Sequence, residues 1–188
     1  TNTETSTGSK TKTNTNTETY TFPTACHHHQ NPNSFGNINI KPSHTSEIHH
    51  TIYRTHPEVN CIIIAQPKHA TSFIITGTQL NTAGIPESHL IVGNVQTLPF
   101  EALQNGGLAI AQMLNPMGTV TEGITSMCTT VFVTGFGLIS VGVNPLKTFV
   151  QVEVCESICG VLLTALRRGP PILLDRDQVR EIDVLFRG

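Results

Sequence analysis

The chain contains nine histidines, and histidine is the commonest metal ligand among the side chains. Three of them form the run His27–His29, in a stretch rich in Asn and Pro that is typical of a loop. Neighbouring side chains in a loop point in diverging directions, so three consecutive histidines do not define the geometry of a metal site. We expect a solvent-exposed run that binds metal only adventitiously.

A second place for chemistry is the carboxyl end of a buried strand. Residues 60–65 are apolar and predict such a strand, and Pro67 then suits the first turn of a helix. In α/β proteins, ligands bind at the carboxyl ends of strands. Here the strand ends in Ile64, Ala65 and Gln66, which leaves this junction without the usual catalytic or metal-binding groups.

Several further elements must surround this strand. Residues 46–55 have helical spacing, with Ile48, Ile52, His49 and Tyr53 expected to face inward. The remaining pattern predicts a helix ending near Gly77, extended pieces at 85–92 and 95–98, a helix at 100–114, strands at 128–134 and 138–141, a long helix from Pro145 and a last helix at 175–186. The long helix is expected to face the core with Leu146, Phe149, Val150, Val154, Ile158, Val161, Leu162 and Leu166. Interleaved helices and strands that are apolar on both faces predict an α/β fold.

Composition excludes some classes of function. The 188 residues suit one main domain, and a net charge of -2 with 13% charged residues gives no electrostatic footprint for nucleic acid or an anionic membrane. We see no apolar run near the roughly 20 residues that span a bilayer. The five cysteines are scattered, without a Cys-x-x-Cys, and predict buried small side chains in a reduced, cytoplasmic protein.

The N-terminal segment, residues 1–24, is rich in threonine at alternating positions. A period of two with a β-prone residue predicts either a low-complexity tail or a polar β-ribbon, with Gly8 at the turn of a hairpin. An unprotected ribbon edge could also pair with other chains. We therefore divide the chain into a ribbon or tail at 1–24 and a domain at 25–188.

Short strings along that domain resemble the class II aldolase/adducin family. They are Lys41-Pro42-Ser43, His49 with Ile52-Tyr53-Arg54, Pro57-Glu58-Val59-Asn60, Ile85-Pro86-Glu87-Ser88, and the stretch from Val133 to Gly142 followed by a helix with Glu153. The resemblance implies a central mixed β-sheet covered by helices on both faces. It also implies a homo-oligomer, commonly a cyclic tetramer. The family comprises metal-dependent lyases, epimerases and dehydratases of small sugar phosphates, and the adducin head, a cytoskeletal assembly module.

The enzymes of that family hold a divalent ion with a His-x-His pair and a third histidine, and they use a glutamate as acid and base. Aligned on this sequence, the glutamate position is Thr45, the His-x-His positions are Ile64 and Gln66, and the third histidine is Phe136. Ile and Phe have no lone pair for a metal, and Thr cannot replace a carboxylate base. Four losses at one cluster predict that no metal or other cofactor is bound there.

The phosphate pocket implied by the resemblance is better preserved. Its positions fall on Thr7, Gly8, Thr24 and Ser43, which could offer hydroxyls and backbone N–H groups to a small sugar phosphate. Ala25 and His44 depart from the family pattern beside them. Ordinary turns explain the same Ser and Thr residues equally well.

Two functions remain open at this point. The first is a catalytically inactive family member that serves as a self-assembling structural or interaction module. The alternative is a sugar-phosphate aldolase or epimerase whose zinc or other divalent ion has moved to a displaced site built from some of Glu47, His44, His49, His50 and His69. A metal-free sugar-phosphate sensor is a third, weaker interpretation.

Overall fold

The protein is described by a computed structural model that covers residue 43 and residues 45–187. The helices of this part are α1 (Ser46–Thr55), α2 (Lys68–Thr76), α3 (Pro86–Ile91), a 3-10 helix (Phe100–Leu103), α4 (Gln104–Met113), α5 (Pro145–Leu166) and α6 (Arg176–Arg187). The strands are β1 (Cys61–Ala65), β2 (Val95–Leu98), β3 (Asn115–Thr121), β4 (Ile124–Cys128), β5 (Thr130–Val133) and β6 (Gly137–Gly142). The Thr-rich segment and its predicted boundary at residues 24 and 25 lie outside this part.

Four strands form the main sheet in the order β1-β6-β5-β2. β6 runs antiparallel to both β1 and β5, whereas β2 runs parallel to β5. The sheet is therefore mixed, which confirms the prediction. β3 and β4 form a separate two-stranded antiparallel sheet.

The two faces of the main sheet each bury a distinct apolar cluster, because successive side chains of a strand point to opposite faces. Phe132 and Leu138 belong to the cluster that contains residues of α2 and α5. Val131, Ile139 and Val141 belong to the cluster that contains residues of α1 and α4. Helices thus cover both faces, and the α/β layer prediction is confirmed.

The two helices nearest the N-terminal end of the described part form as predicted, with one exception. Ile48 and Ile52 of α1 are buried, and α2 buries Ala70, Phe73 and Ile74 before it ends at Gly77. Tyr53, expected to face inward, is 41% exposed. His49 contacts the Tyr53 ring edge-on at a centroid distance of 6.5 Å, so this histidine packs on the flank of α1 and outside its buried stripe.

The prediction of an extended segment at 85–92 is wrong. Pro86–Ile91 is a short helix, and Ile85 before it is extended with φ −145° and ψ 148°. The overlooked signal is Pro86, since proline is favoured in the first helical turn. Residues 95–98 are extended as predicted and form β2.

The region between β2 and β5 also differs from expectation. The predicted helix at 100–114 is interrupted, because Asn105, Gly106 and Gly107 have φ of 53°, 64° and 73°. The hairpin β3–β4 was not predicted, although Glu122 and Gly123, with φ of 53° and 76°, suit a two-residue hairpin turn. The predicted strand at 128–134 is in fact the end of β4 and the whole of β5.

The long helix α5 begins at Pro145 as predicted, but the expected core-facing stripe is only partly correct, since Ile158 and Leu162 are buried and Val154 packs against the core. Of the predicted inward residues, Leu146, Phe149, Val161 and Leu166 are 73%, 50%, 49% and 56% exposed. The buried positions that the prediction missed are Thr148, Val152, Cys155 and Cys159. The helix is apolar on more than one side, and within the described residues it is the one helix long and apolar enough to cross a membrane, so the expectation that no apolar run approaches this length is wrong. Its buried side packs against the main sheet and α2.

A buried ionic cluster joins α6 to the rest of the domain. Asp183 is 3% exposed, and its carboxylate lies 3.0 Å from His89 Nε2 and 3.0 Å from Arg187 Nε. The backbone N–H of Thr125 donates to the same carboxylate over 2.7 Å. Asp175 caps the start of α6 as predicted, accepting from the N–H groups of Asp177 and Gln178. A single carboxylate therefore connects α3, β4 and α6.

We expect Asp183→Ala to destabilise the domain by about 3–5 kcal/mol, because it leaves buried partners of the carboxylate without compensation. Glu181→Ala, at an exposed position of the same helix, is the matched control and should change stability by less than about 0.5 kcal/mol. Urea unfolding followed by circular dichroism measures both. Equal effects of the two substitutions would contradict the assigned role of Asp183.

The stability of α1 should depend on pH through His49. Burial, and then the neighbouring His50, lower the pKa of His49 below its usual value of 6.5. The unfolded chain therefore protonates His49 more readily than the folded chain does. The contribution of neutral His49 to the free energy of unfolding is complete above pH 6.5 and is lost as the pH falls from there through the lowered pKa. His49→Gln should show a smaller loss of urea midpoint between about pH 7.5 and about pH 5 than the parent chain. An unchanged loss would contradict this account.

Candidate functional site

The carboxyl end of β1 meets the turn between β5 and β6. Because β1 and β6 are antiparallel, Ala65 pairs with Leu138 at the start of β6. The Gln66 side chain follows directly, and its Nε2 donates a hydrogen bond of 2.6 Å to the carbonyl oxygen of Phe136. A Cβ on Gly137 would lie 2.7 Å from the carbonyl oxygen of Ala65, so a residue without a side chain is needed where the two elements touch. Two of the four aligned metal-site positions are thus brought together.

A third aligned position lies on the same face of the sheet. Ile64 and Phe136 both pack against the apolar cluster that includes Ile139 and Val141. Ile64 and Gln66 are two residues apart along the extended chain and therefore point to the same side. The structure gathers Ile64, Gln66 and Phe136 at one end of the sheet, where two of them are partly buried among apolar side chains.

The fourth position, Thr45, immediately precedes α1. Its Oγ1 lies 3.0 Å from Ser43 Oγ, which lies 3.2 Å from Ser46 Oγ. Helix α1 contributes Ile48 to the same apolar cluster as Ile64. Of the proposed phosphate-binding residues only Ser43 is described, and it is exposed within this hydroxyl group. Thr7, Gly8 and Thr24 lie outside the described residues.

The chemistry of these side chains does not fit the divalent ion of the family. Ile64 and Phe136 carry no donor atoms, and the Gln66 amide uses its NH2 group in a hydrogen bond to the backbone. Zinc in proteins is bound by Cys, His and carboxylate groups. The arrangement can pack and hydrogen-bond, and no step of metal-assisted chemistry follows from it.

The displaced site of the alternative interpretation is not assembled among the residues that can be placed. His69 is on α2, in contact with α5, and its Nδ1 lies 2.8 Å from Glu156 Oε1. Glu47, His49 and His50 are on α1, which covers the opposite face of the sheet. His44 and the run His27–His29 lie outside the described residues. Within residue 43 and residues 45–187, no group of three or more His, Cys, Asp or Glu side chains could hold a metal ion.

Glu156 is a positioning group that sequence reasoning missed. Its Oε1 accepts a hydrogen bond of 2.8 Å from the backbone N–H of His69, and its Oε2 accepts one of 2.8 Å from the backbone N–H of Ala70. A carboxylate at a helix N-terminus satisfies unpaired donors and matches the helix dipole. The partner lies 86 residues away in the chain, so local pattern carried no signal for it.

The buried cysteines behave as apolar residues, as predicted for Cys128. A hydrogen bond with Cys159 and burial raise the pKa of the Cys155 thiol well above its usual value. Burial likewise raises the pKa of Cys128. A thiol must ionise to act as a nucleophile, so neither residue is suited to catalysis.

Comparisons with known proteins agree with this architecture. The solved L-fuculose 1-phosphate aldolase has 18% sequence identity and a TM-score of 0.61, over 78% of this chain and 65% of its own. YgbL from Escherichia coli, described as a putative aldolase/epimerase/decarboxylase, has 18% identity and a TM-score of 0.60, over 76% of this chain and 66% of its own. The L-fuculose 1-phosphate aldolase of Glaciozyma antarctica PI12 has 22% identity and a TM-score of 0.57, over 73% of this chain and 49% of its own.

These likenesses show the fold alone, and this chain spans less than two thirds of the length of each of these structures. No curated protein sequence matches the chain significantly. The family description "Class II Aldolase and Adducin N-terminal domain" matches residues 23–163. Since this match covers most of the chain, the protein belongs to the class II aldolase and adducin family.

Proposed function

We propose that this chain is a catalytically inactive class II aldolase-like domain that works as a self-assembling structural or interaction module. The observation that carries the proposal is the set of side chains at the carboxyl end of β1. At the positions where the family resemblance implies a metal ion, this chain has Ile64 and Phe136 packed on an apolar cluster and Gln66 hydrogen-bonded to the backbone of Phe136.

The energetic consequence of this replacement is large. Breaking a carbon-carbon bond beside a carbonyl produces an enediolate, and a metal ion stabilises such charge by several kcal/mol. Each 1.36 kcal/mol is a factor of about ten in rate. A site without ligands therefore loses several orders of magnitude in rate, and the side chains here contribute to packing.

An assembly role is supported by the surface and by the family. The description that matches the chain includes the adducin N-terminal domain, and the family resemblance implies a homo-oligomer such as a cyclic tetramer or a larger assembly. Large apolar side chains remain exposed on α5, among them Leu146 and Phe149. Extended apolar surface of this kind marks interaction sites. The four cysteines of the described part are unpaired, which suits a reducing cytoplasmic setting.

The proposal predicts that the purified full chain retains no tightly bound metal. After treatment with a chelator and dialysis, followed by re-exposure to zinc or manganese and a second dialysis, we expect well below one equivalent per chain. The protein should also fail to exchange the proton of dihydroxyacetone phosphate. Elemental analysis and proton NMR measure the two results. Stoichiometric metal together with exchange would favour the displaced-site aldolase instead.

Restoring the family residues should create a metal site if the four positions are correctly assigned. The variant with Thr45→Glu, Ile64→His, Gln66→His and Phe136→His should bind zinc, because three imidazoles can supply a tetrahedral site with one open position. The binding free energy would offset the cost of a polar side chain at position 64. Zinc affinity is measured by competition with a chromophoric chelator.

The matched control for this experiment carries the same changes except Gln66→Ala in place of Gln66→His. It should bind at least about tenfold more weakly, since one ligand is missing. Zinc binding by the parent chain gives the background that arises from the histidine run at residues 27–29. If the restored variant binds no better than the control, the assignment of these positions is wrong and the proposal loses its main support.

A further inference from the structure

One face of α5 forms a continuous stripe of mostly exposed side chains. Its residues follow one another at spacings of three and four, which places them on one side of a helix. They are Leu146, Val150, Glu153, Ser157, Val161, Thr164 and, at the turn that ends the helix, Arg168. All except Val150 are exposed.

A shallow groove runs along the middle of this stripe. It has a volume of about 810 Å³ and is lined by residues that include Glu153, Ser157, Gly160, Val161 and Thr164. Gly160 lies at the side of the groove where the His69 ring packs, since a Cβ at position 160 would lie 3.1 Å from that ring. Ser157 and Thr164 have short side chains near the centre of the stripe, and the separation of two packed helices depends on the size of the side chains between them.

The charges of the stripe are self-complementary about its centre. Glu153 and Arg168 lie the same number of residues on either side of the point between Gly160 and Val161, about 11 Å along the axis from it. Ser157 and Thr164 are related in the same way. Within the described residues, neither Glu153 nor Arg168 forms an ion pair.

We propose that this stripe binds the same stripe of a second copy of the chain, with the two α5 helices antiparallel about a two-fold axis that passes near Gly160 and Val161. The contact places Glu153 of each copy opposite Arg168 of the other and puts Ser157, Val161 and Thr164 near the crossing point. A two-fold interface uses the same patch on both subunits, which is the symmetry that the charge pattern has. A two-fold contact joins only two copies, so it is additional to the heterologous contacts that close a cyclic tetramer and would link single chains or such rings in pairs. The inference rests on the proposed assembly function.

A second copy explains the stripe better than a lipid bilayer does. The apolar residues Leu146 and Val161 would suit either partner, but the polar and charged residues Glu153, Ser157 and Arg168 interrupt the stripe. Charged groups are disfavoured in hydrocarbon, whereas paired charges at the edges of a helix contact set orientation. A helix of 22 residues buries less than a standard interface of about 1,600 Å², so we expect a dissociation constant on the order of micromolar.

Charge exchange in the full chain tests the proposal. Glu153→Arg and Arg168→Glu should each raise the dissociation constant of the dimer at least about tenfold, because each places like charges in contact. The effect of Glu153→Arg should be the larger, because Arg167 lies beside Arg168 and adds to the repulsion of a positive charge at position 153 of the other copy. The double variant with both substitutions restores opposite charges and should return to within about threefold of the parent. Sedimentation velocity over a range of protein concentrations measures all four chains.

Glu181→Arg is the control, because Glu181 is an exposed acidic residue of another helix, α6. It should leave the dissociation constant unchanged. Far-ultraviolet circular dichroism and thermal unfolding establish that each variant folds. A single variant that dimerises like the parent, or a double variant that recovers nothing, would overturn the antiparallel contact.

The outcomes separate this inference from the proposed function. A parent chain that assembles but is insensitive to both charge substitutions removes the α5 contact and leaves an assembly role through another surface. A parent chain that is monomeric at every concentration contradicts both the α5 contact and the proposed self-assembly. If the parent co-sediments with phosphatidylcholine vesicles and Val161→Asp abolishes this, the stripe is a membrane surface and the inference is wrong. Metal binding by the parent chain tests the inactive site and does not bear on the contact.

Discussion

The pairing of β1 with β6 is the constraint on which the candidate site depends. Its antiparallel register sets Ala65 opposite Leu138, and this alone brings Gln66 against the turn that contains Phe136. The hydrogen bond from Gln66 to the Phe136 carbonyl then closes the end of the sheet. Under the proposed function, packing and this hydrogen bond take the place of the metal ligands that the family resemblance implies at the junction.

The apolar clusters on the two faces explain why such an exchange leaves the fold intact. Ile64 and Phe136 extend the cluster around Ile139, so their burial adds to the free energy that holds α1 and α4 on the sheet. A metal-binding histidine at either place would need its own polar partners. The fold is maintained by the apolar side chains that alternate between the two faces of the strands, and this packing does not depend on which residues lie at the end of β1.

Much of the fold was predictable from the sequence, and the exceptions share physical causes. Helix α1, strand β1 and helix α2 follow from local periodicity and from Pro67 and Gly77. The core face of α5 was only partly predictable in this way, because apolar residues occur around most of its circumference and only tertiary packing selects Cys155 and Cys159. The aligned site positions came from family resemblance, while the Gln66 contact and the carboxylate of Glu156 join residues about 70 and 86 apart in sequence. No local pattern reports such pairs.

The separation of β1 from β6 in the chain has a consequence for synthesis. Residues 61–65 pair with residues 138–142, and ribosomes add about 5–20 residues per second. The first strand therefore leaves the ribosome several seconds before its neighbour exists. During that interval Ile62, Ile63 and Ile64 form an unprotected β-prone segment on the nascent polypeptide. Burial of this segment on the sheet must therefore wait until residues 138–142 have been synthesised.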